Sequence, residues 1–369
     1  MNIVITEKPS EMIMIAKSII EERRDYYTSE VLEDIRNEIE HHIGVKDEDI
    51  LFQAIYYYWT YGATTDELFY LHLLGKTFDE IKKYITKREK VIYTNQLNCL
   101  QDAHYLQNKY ETYEMFKSYY KRELIICDDK ECFGKFLDYV NRHPVFVVKP
   151  LKLGGGKGIH KESTIGLSTK QIYNMYNNLL EETKLIHRKL DSWGGASGFV
   201  VEEVLDQADE LASFHQQSVN VVRVPTLNIH DDIIVYQPWL KTGTGDSFVD
   251  NAHSGGLLAG IDADTGIIDT NGVSEIPVFY ETHPDSNVRF VGFQIPQWNE
   301  LIRIAKELSQ QLPSIKYISW DLALTKKGWA LVEGNFRGEF DWQMFRQRGM
   351  KFEFEQMTGL TINKKFWWQ

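Results

Sequence analysis

The stretch VFVVKPLKLGGGKGIHKES, Val145–Ser163, decides how the rest of the chain is read. A short apolar run, the signature of a buried strand, ends in Lys149 and Pro150. Gly154, Gly155, Gly156, Lys157 and Gly158 follow. Glycines let backbone approach a phosphate, and successive N–H groups can then cradle it. The spacing excludes the commonest loops of this kind. A Walker A loop needs glycine and Ser/Thr where Leu151 and Gly158 stand, and the dinucleotide fingerprint needs glycine where Ile159 stands. In protein kinases the glycine loop precedes the strand lysine; here Lys149 comes first.

Outward from this loop the chain changes character. On the N-terminal side, EVLEDIRNEIEHHI (Glu30–Ile43) and DELFYLHLLG (Asp66–Gly75) carry apolar residues at three- and four-residue steps, so helices are expected. Ser10 and Thr64 read as helix starts, and AIYYYWTYGA (Ala54–Ala63) as a core helix. Tyr105–Leu124 reads as one further helical block, and Cys132–Pro144 as a helix stopped by proline. On the C-terminal side the pattern becomes that of strands: GFVVEEVL (Gly198–Leu205), then Ser218–Ile229 paired with Asp232–Leu240 about a His-Asp-Asp turn. A hairpin is expected around Thr265–Gly266, an amphipathic helix over Gln297–Leu312, and a second hairpin turning at Lys326–Gly328.

Composition bounds the class. The 369 residues suffice for two or three domains, and 43% hydrophobic content suits a globular fold. A net charge of −12 argues against broad nucleic-acid binding, and no apolar run approaches a membrane span. The start MNIVITEKPSEM lacks the basic end and apolar middle of a signal peptide, so a cytoplasmic location is expected. Cys99, Cys127 and Cys132 lack metal spacing and read as free thiols.

Some residues ask for partners on chemical grounds alone. Lys149 ends a buried strand and needs an anion, and Arg223 lies among apolar neighbours in NVVRV. Glu333 and Asn335, two apart on a strand, share a face, and a hairpin partner can bring Asp321 opposite them. An oxygen-only set favours Mg²⁺ over Zn²⁺.

VVKP, the GGGKGI loop, GFVVEEVL, WDLAL and LVEGN resemble the ATP-grasp superfamily in order and spacing, over roughly residues 105 to 340. SVNVVRVPTLN, VDNAHSGGLLAGIDADTG and WDLALTKKGWALVEGNFRGEF are similar to its sugar-transfer-associated branch. The resemblance implies an α+β fold of two lobes clamping ATP, preceded here by a helical region. The expected division is 1–104 helical, 105–205 an N-lobe with the glycine lid, and 206–369 a C-lobe with the metal site and a C-terminal helix.

The same resemblance assigns roles. Lys149 takes the ATP phosphates, with Lys157 reaching them when the lid closes. Glu202, Glu203, Val204 and Leu205 form the adenine-binding hinge, and Asp209 or Glu210 binds the ribose. Asp321, Glu333 and Asn335 hold Mg²⁺. Ser319 stands where related ligases often have arginine, and Arg223 or Arg337 can replace it, with Lys241 a weaker candidate. Asp250, Asn251, Ser254 and Gly255 look like a substrate loop, and its His253 is a base or an orienting group. The reaction implied is ATP-dependent carboxylate–amine ligation through an acylphosphate. Its substrates would be an amino acid or similar acid and an amine on a sugar or cell-envelope precursor. A phosphotransferase on the same fold, or an ATP-binding regulatory protein, are the alternatives.

Overall fold

A computed structural model of the chain describes residues 4–153, 156, 158–189, 198–247 and 255–362, side chains of 187–189 excepted. Helices fill the region before Leu97, and their boundaries are set by side-chain caps. Thr64 and Glu67, Thr77 and Glu80, and Thr86 and Glu89 each form a reciprocal capping box. Asp47 caps Glu48–Tyr61, accepting from the Ile50 amide at 3.0 Å. The aromatic segment of that helix is core: Tyr56, Tyr57 and Tyr61 are buried. The first helix runs Pro9–Glu22, with proline rather than Ser10 as its opening residue.

Two expected elements are broken. Tyr105–Leu124 is interrupted at Asn108, whose carboxamide oxygen accepts from the amides of Tyr110 and Glu111 and so starts a new helix, Lys109–Tyr120. Asp232–Leu240 splits because Gln237 takes a left-handed conformation, φ 49°.

The first sheet contains β1 (Leu124–Cys127), β2 (Val145–Pro150), β3 (His160–Ser163) and β4 (Phe199–Glu203) in the order β1-β4-β2-β3, with antiparallel pairing. The second contains β5 (Val221–Ile229), β6 (Asp232–Val235), β7 (Trp239–Thr242), β8 (Leu257–Gly260), β9 (Gly272–Val273), β10 (Phe279–Tyr280), β11 (Tyr317–Thr325) and β12 (Gly328–Asn335). Its order is β10-β9-β8-β7-β5-β11-β12, with β6 paired to β5. The β11–β12 hairpin turns at Gly328, φ 93°, as expected.

The helical region shares a core with the second sheet. One apolar cluster joins Met12, Tyr57 and Tyr93 to Trp239, Tyr317, Trp342 and Phe354. Polar ties fix the same junction. The Gln343 carboxamide oxygen accepts from the Ile85 amide and its nitrogen donates to the Ile85 carbonyl, both at 2.8 Å. Lys351 donates to the buried Glu89. This docking brings the helical region to the edge of the cavity described next.

Candidate functional site

A cavity of about 330 Å³ lies where the two sheets and the N-terminal helices meet. Lys109, Lys149, Arg223, Lys241, Asp321, Glu333, Asn335 and Arg337 line it, together with Gly156. A second cavity of about 360 Å³ adjoins it and shares Lys109, Lys149, Glu333, Asn335 and Arg337.

The floor is built by strand register. Arg223 of β5 is directly opposite Asp321 of β11, and Asp321 is directly opposite Glu333 of β12. Side chains opposite one another on one face of a sheet stand within reach. Arg223 Nε and Nη2 donate to the two carboxylate oxygens of Asp321 at 2.5 and 2.6 Å, and Lys241 Nζ donates to the same group at 3.4 Å. Burial alone raises a carboxyl pKa, but these cations overcome it and hold Asp321 down to about 2. Asn335 donates from Nδ2 to Glu333 Oε1 at 3.2 Å. The three side chains therefore present hard oxygen donors from adjacent strands, a set that fits Mg²⁺. Arg223 takes up two of the lone-pair positions of Asp321, so Glu333 and Asn335 are the donors with more capacity to spare.

Lys149 finds its anion inside the protein. Its ammonium pairs with Glu202, which also accepts from Arg122 Nε at 2.9 Å. Burial raises the Glu202 pKa and the two cations more than reverse it. Glu202, expected at the hinge, thus lines the second cavity with a side chain already paired inside the protein. Arg122 also donates to the Leu331 carbonyl of β12 at 2.7 Å, tying β4 to the second sheet.

Other expected residues fall elsewhere. Glu203 faces His143 at 3.2 Å. Glu203, Val204, Leu205, Asp209 and Glu210 do not appear among the residues lining either cavity. Asp209 and Glu210 are exposed on a short helix beyond the Gln207–Thr325 bridge. Gly255 accepts at its carbonyl from Thr244 Oγ1. Gly154, Gly155, Lys157, Asp250, Asn251, His253 and Ser254 lie outside the described residues.

Lys109 is a site residue the sequence reading missed. Its Nζ donates to the carbonyls of Pro150 and Leu153, and burial pushes its pKa down to about 8. The Asn108 cap was the available signal, hidden by reading one continuous helix. Arg337 has the opposite character. Nη2 donates to Asn95 Oδ1 at 2.7 Å, yet Nε is buried with no hydrogen-bond partner, and no carboxylate pairs with it among the described residues. Ser319, where an arginine was absent, is buried against Gly338, where a Cβ would overlap it. That close approach fixes the backbone from which Arg337 projects.

Two α+β sheets facing each other over a cavity, with a lysine at the end of one strand and an Asp-Glu-Asn set on a facing hairpin, define the ATP-grasp class. The chain belongs to the sugar-transfer associated ATP-grasp family, whose sequence model matches residues 88–358. Among solved structures it is similar to D-alanyl-alanine synthetase A from Vibrio cholerae. The identity is 13% and the TM-score 0.38, covering 67% of this chain and 57% of that one. It is also similar to N5-carboxyaminoimidazole synthase from Aspergillus clavatus in complex with ADP and 5-aminoimidazole ribonucleotide. There the identity is 10% and the TM-score 0.41, covering 76% and 59%. The chain thus spans less than two thirds of the length of either. No curated protein sequence matches it. Among the described residues, no helix is long and apolar enough to cross a membrane.

Proposed function

We propose that the protein is an ATP-dependent carboxylate–amine ligase that works through an acylphosphate, with a small acid and an amine as substrates. The observation that carries this reading is Arg337, a guanidinium that lines both cavities with Glu333 and Asn335 and pairs with no carboxylate among the described residues. A ligase must hold an anionic carboxylate next to an already anionic triphosphate, and this requires cations that are not already neutralised. Arg223 is engaged with Asp321, so Arg337 is the better candidate for the carboxylate.

Lys149 and Lys109 bind the phosphates, and the Arg122–Glu202 pair holds Lys149 in position. Glu333 and Asn335, with Asp321, would hold Mg²⁺, whose charge offsets that of the transferring phosphoryl group. Arg337 aligns one oxygen of the acid for attack on the γ-phosphorus. The bond to the β-phosphate oxygen breaks and ADP leaves. The amine then attacks the acyl carbon, the carbon–oxygen bond to phosphate breaks, inorganic phosphate departs and the amine loses a proton. The cytoplasmic location and the link to polysaccharide or cell-envelope precursors belong to the same proposal; the family's description names only an association with sugar transfer.

The test is incubation with Mg-ATP and pools of acids and amines, followed by mass spectrometry. An amide product with release of ADP and phosphate is expected. A product carrying the γ-phosphate on a hydroxyl sinks the ligase reading and installs the phosphotransferase one.

A further inference from the structure

The cavity is not uniformly cationic. Its far end is walled by Asp66 and Tyr70 from the helix Thr65–Tyr70, by Lys87, and by Glu339, Asp341 and Met344 from the segment after β12. Glu67, buried beneath Asp66, accepts from the backbone amides of Thr64 at 2.8 Å and Lys87 at 2.7 Å. One carboxylate thereby locks two helix starts together and fixes the wall that carries Asp66, Tyr70 and Lys87.

The charges at this end are unequally satisfied. Asp66 pairs with Lys87, and Glu339 with Lys90 at 2.5 Å. Asp341 has no ion pair, and its carboxylate no hydrogen bond, among the described residues, although it lines the cavity. The Tyr70 hydroxyl also lacks a hydrogen-bond partner there. Enclosure and then the nearby Glu339 raise the Asp341 carboxyl to about 6, against the pull of Arg223, Lys90 and Lys87, none of which forms an ion pair with it. A carboxylate and a phenol oxygen lining the same end of one cavity offer acceptors for an N–H donor with positive charge.

A metal ion is a poorer fit. Among the described residues, the groups of three His, Cys, Asp or Glu donors close enough to share an ion lie at Glu123, His143 and Glu203 and at Asp128, Asp129 and Cys132, not at this end of the cavity. An organic ammonium, which needs only directional acceptors, suits the pair better.

We propose that the acceptor substrate enters with its amine as an ammonium group held between the Asp341 carboxylate and the Tyr70 hydroxyl, in the end of the cavity built by the N-terminal helices. This rests on the ligase reading and completes it. Arg337 and Asp341, four positions apart in RGEFD, then hold the two substrates by opposite charges, one a carboxylate and the other an ammonium. It also gives the helical N-terminal region a function: it supplies one wall of the acceptor site.

Binding of simple probes to the full chain tests the proposal. Saturation-transfer NMR would compare ethanolamine and glucosamine with their hydroxyl counterparts ethylene glycol and glucose, in the presence of Mg²⁺ and a non-hydrolysable ATP analogue. The amines should bind wild type and the hydroxyl compounds should not. Asp341→Asn should weaken the amines at least about tenfold, the size of one lost charge-assisted hydrogen bond. Tyr70→Phe, which keeps the ring and its packing, should weaken them several-fold. If no amine binds wild type, or if Asp341→Asn binds amines as wild type does, the acceptor site is wrong. Amines that bind through Asp341 in a protein yielding only phosphorylated hydroxyls would overturn the ligase reading and leave the ammonium site standing.

Discussion

Arg223 and Asp321 face each other in register across β5 and β11, and the guanidinium grips both carboxylate oxygens at 2.5 and 2.6 Å. The pair is buried, so its charges compensate each other at the centre of the cavity floor. Removing one partner of a buried pair strands the other and typically costs about 3–5 kcal/mol. Asp321→Asn should therefore lower unfolding stability by an amount of that order, read from chemical denaturation. The double variant Arg223→Met with Asp321→Leu should recover much of the loss while remaining inactive. Additive losses in the double variant would show that the two side chains do not act as a pair.

Glu333→Gln and Asn335→Ala should each reduce turnover at least about a hundredfold, the usual size of one lost transition-state contact, with far-UV circular dichroism unchanged. The motive is their shared face beside Asp321. Near-normal turnover in both variants would remove the magnesium assignment.

Lys109 makes nucleotide binding pH-dependent. Its pKa of about 8 in the free protein reflects burial. A triphosphate beside it favours the charged form and raises that pKa. Affinity for Mg-ATP should then be constant below about pH 8 and fall as pH rises above it. Binding near pH 8 should take up protons, measurable by calorimetry in buffers of different ionisation enthalpy. Lys109→Met should abolish the uptake. Proton release, or uptake that persists in Lys109→Met, contradicts this assignment.

How far the sequence carries depends on the range of the interaction. Period and turn residues place the β11–β12 hairpin and bring Asp321 near Glu333 and Asn335. The turn alone would set Val332 against Asp321; a register shift between Asp321 and Leu322 brings Glu333 opposite instead, and no turn residue announces it. Arg223 could be seen to need a partner, but that the partner is Asp321 depends on β5 lying next to β11, a pairing between distant segments. The Arg122–Glu202–Lys149 group and the placing of Tyr70 and Asp341 at one end of a cavity are likewise tertiary, and no short motif announces them. The adenine and ribose positions were drawn from the resemblance alone, and Asp209 and Glu210 prove to be exposed away from the cavities.

Gly158 is constrained by both backbone and space. It has φ 70°, and a Cβ there would come within 2.9 Å of Pro150 Cγ, next to Lys149. Gly158→Ala should therefore shift the strand end that carries Lys149 and weaken Mg-ATP binding several-fold, measured by equilibrium titration. Unaltered affinity would separate this residue from the phosphate site.

In the proposed reaction a carboxylate is activated as an acylphosphate beside Arg337. Hydroxylamine replaces the acceptor amine and traps any such intermediate as a hydroxamate, without any need for the natural acceptor. With Mg-ATP and a panel of small acids, wild type should release a hydroxamate together with ADP and phosphate, and Arg337→Met should lose it. A panel that yields no hydroxamate while the γ-phosphate appears on a hydroxyl compound would contradict the account.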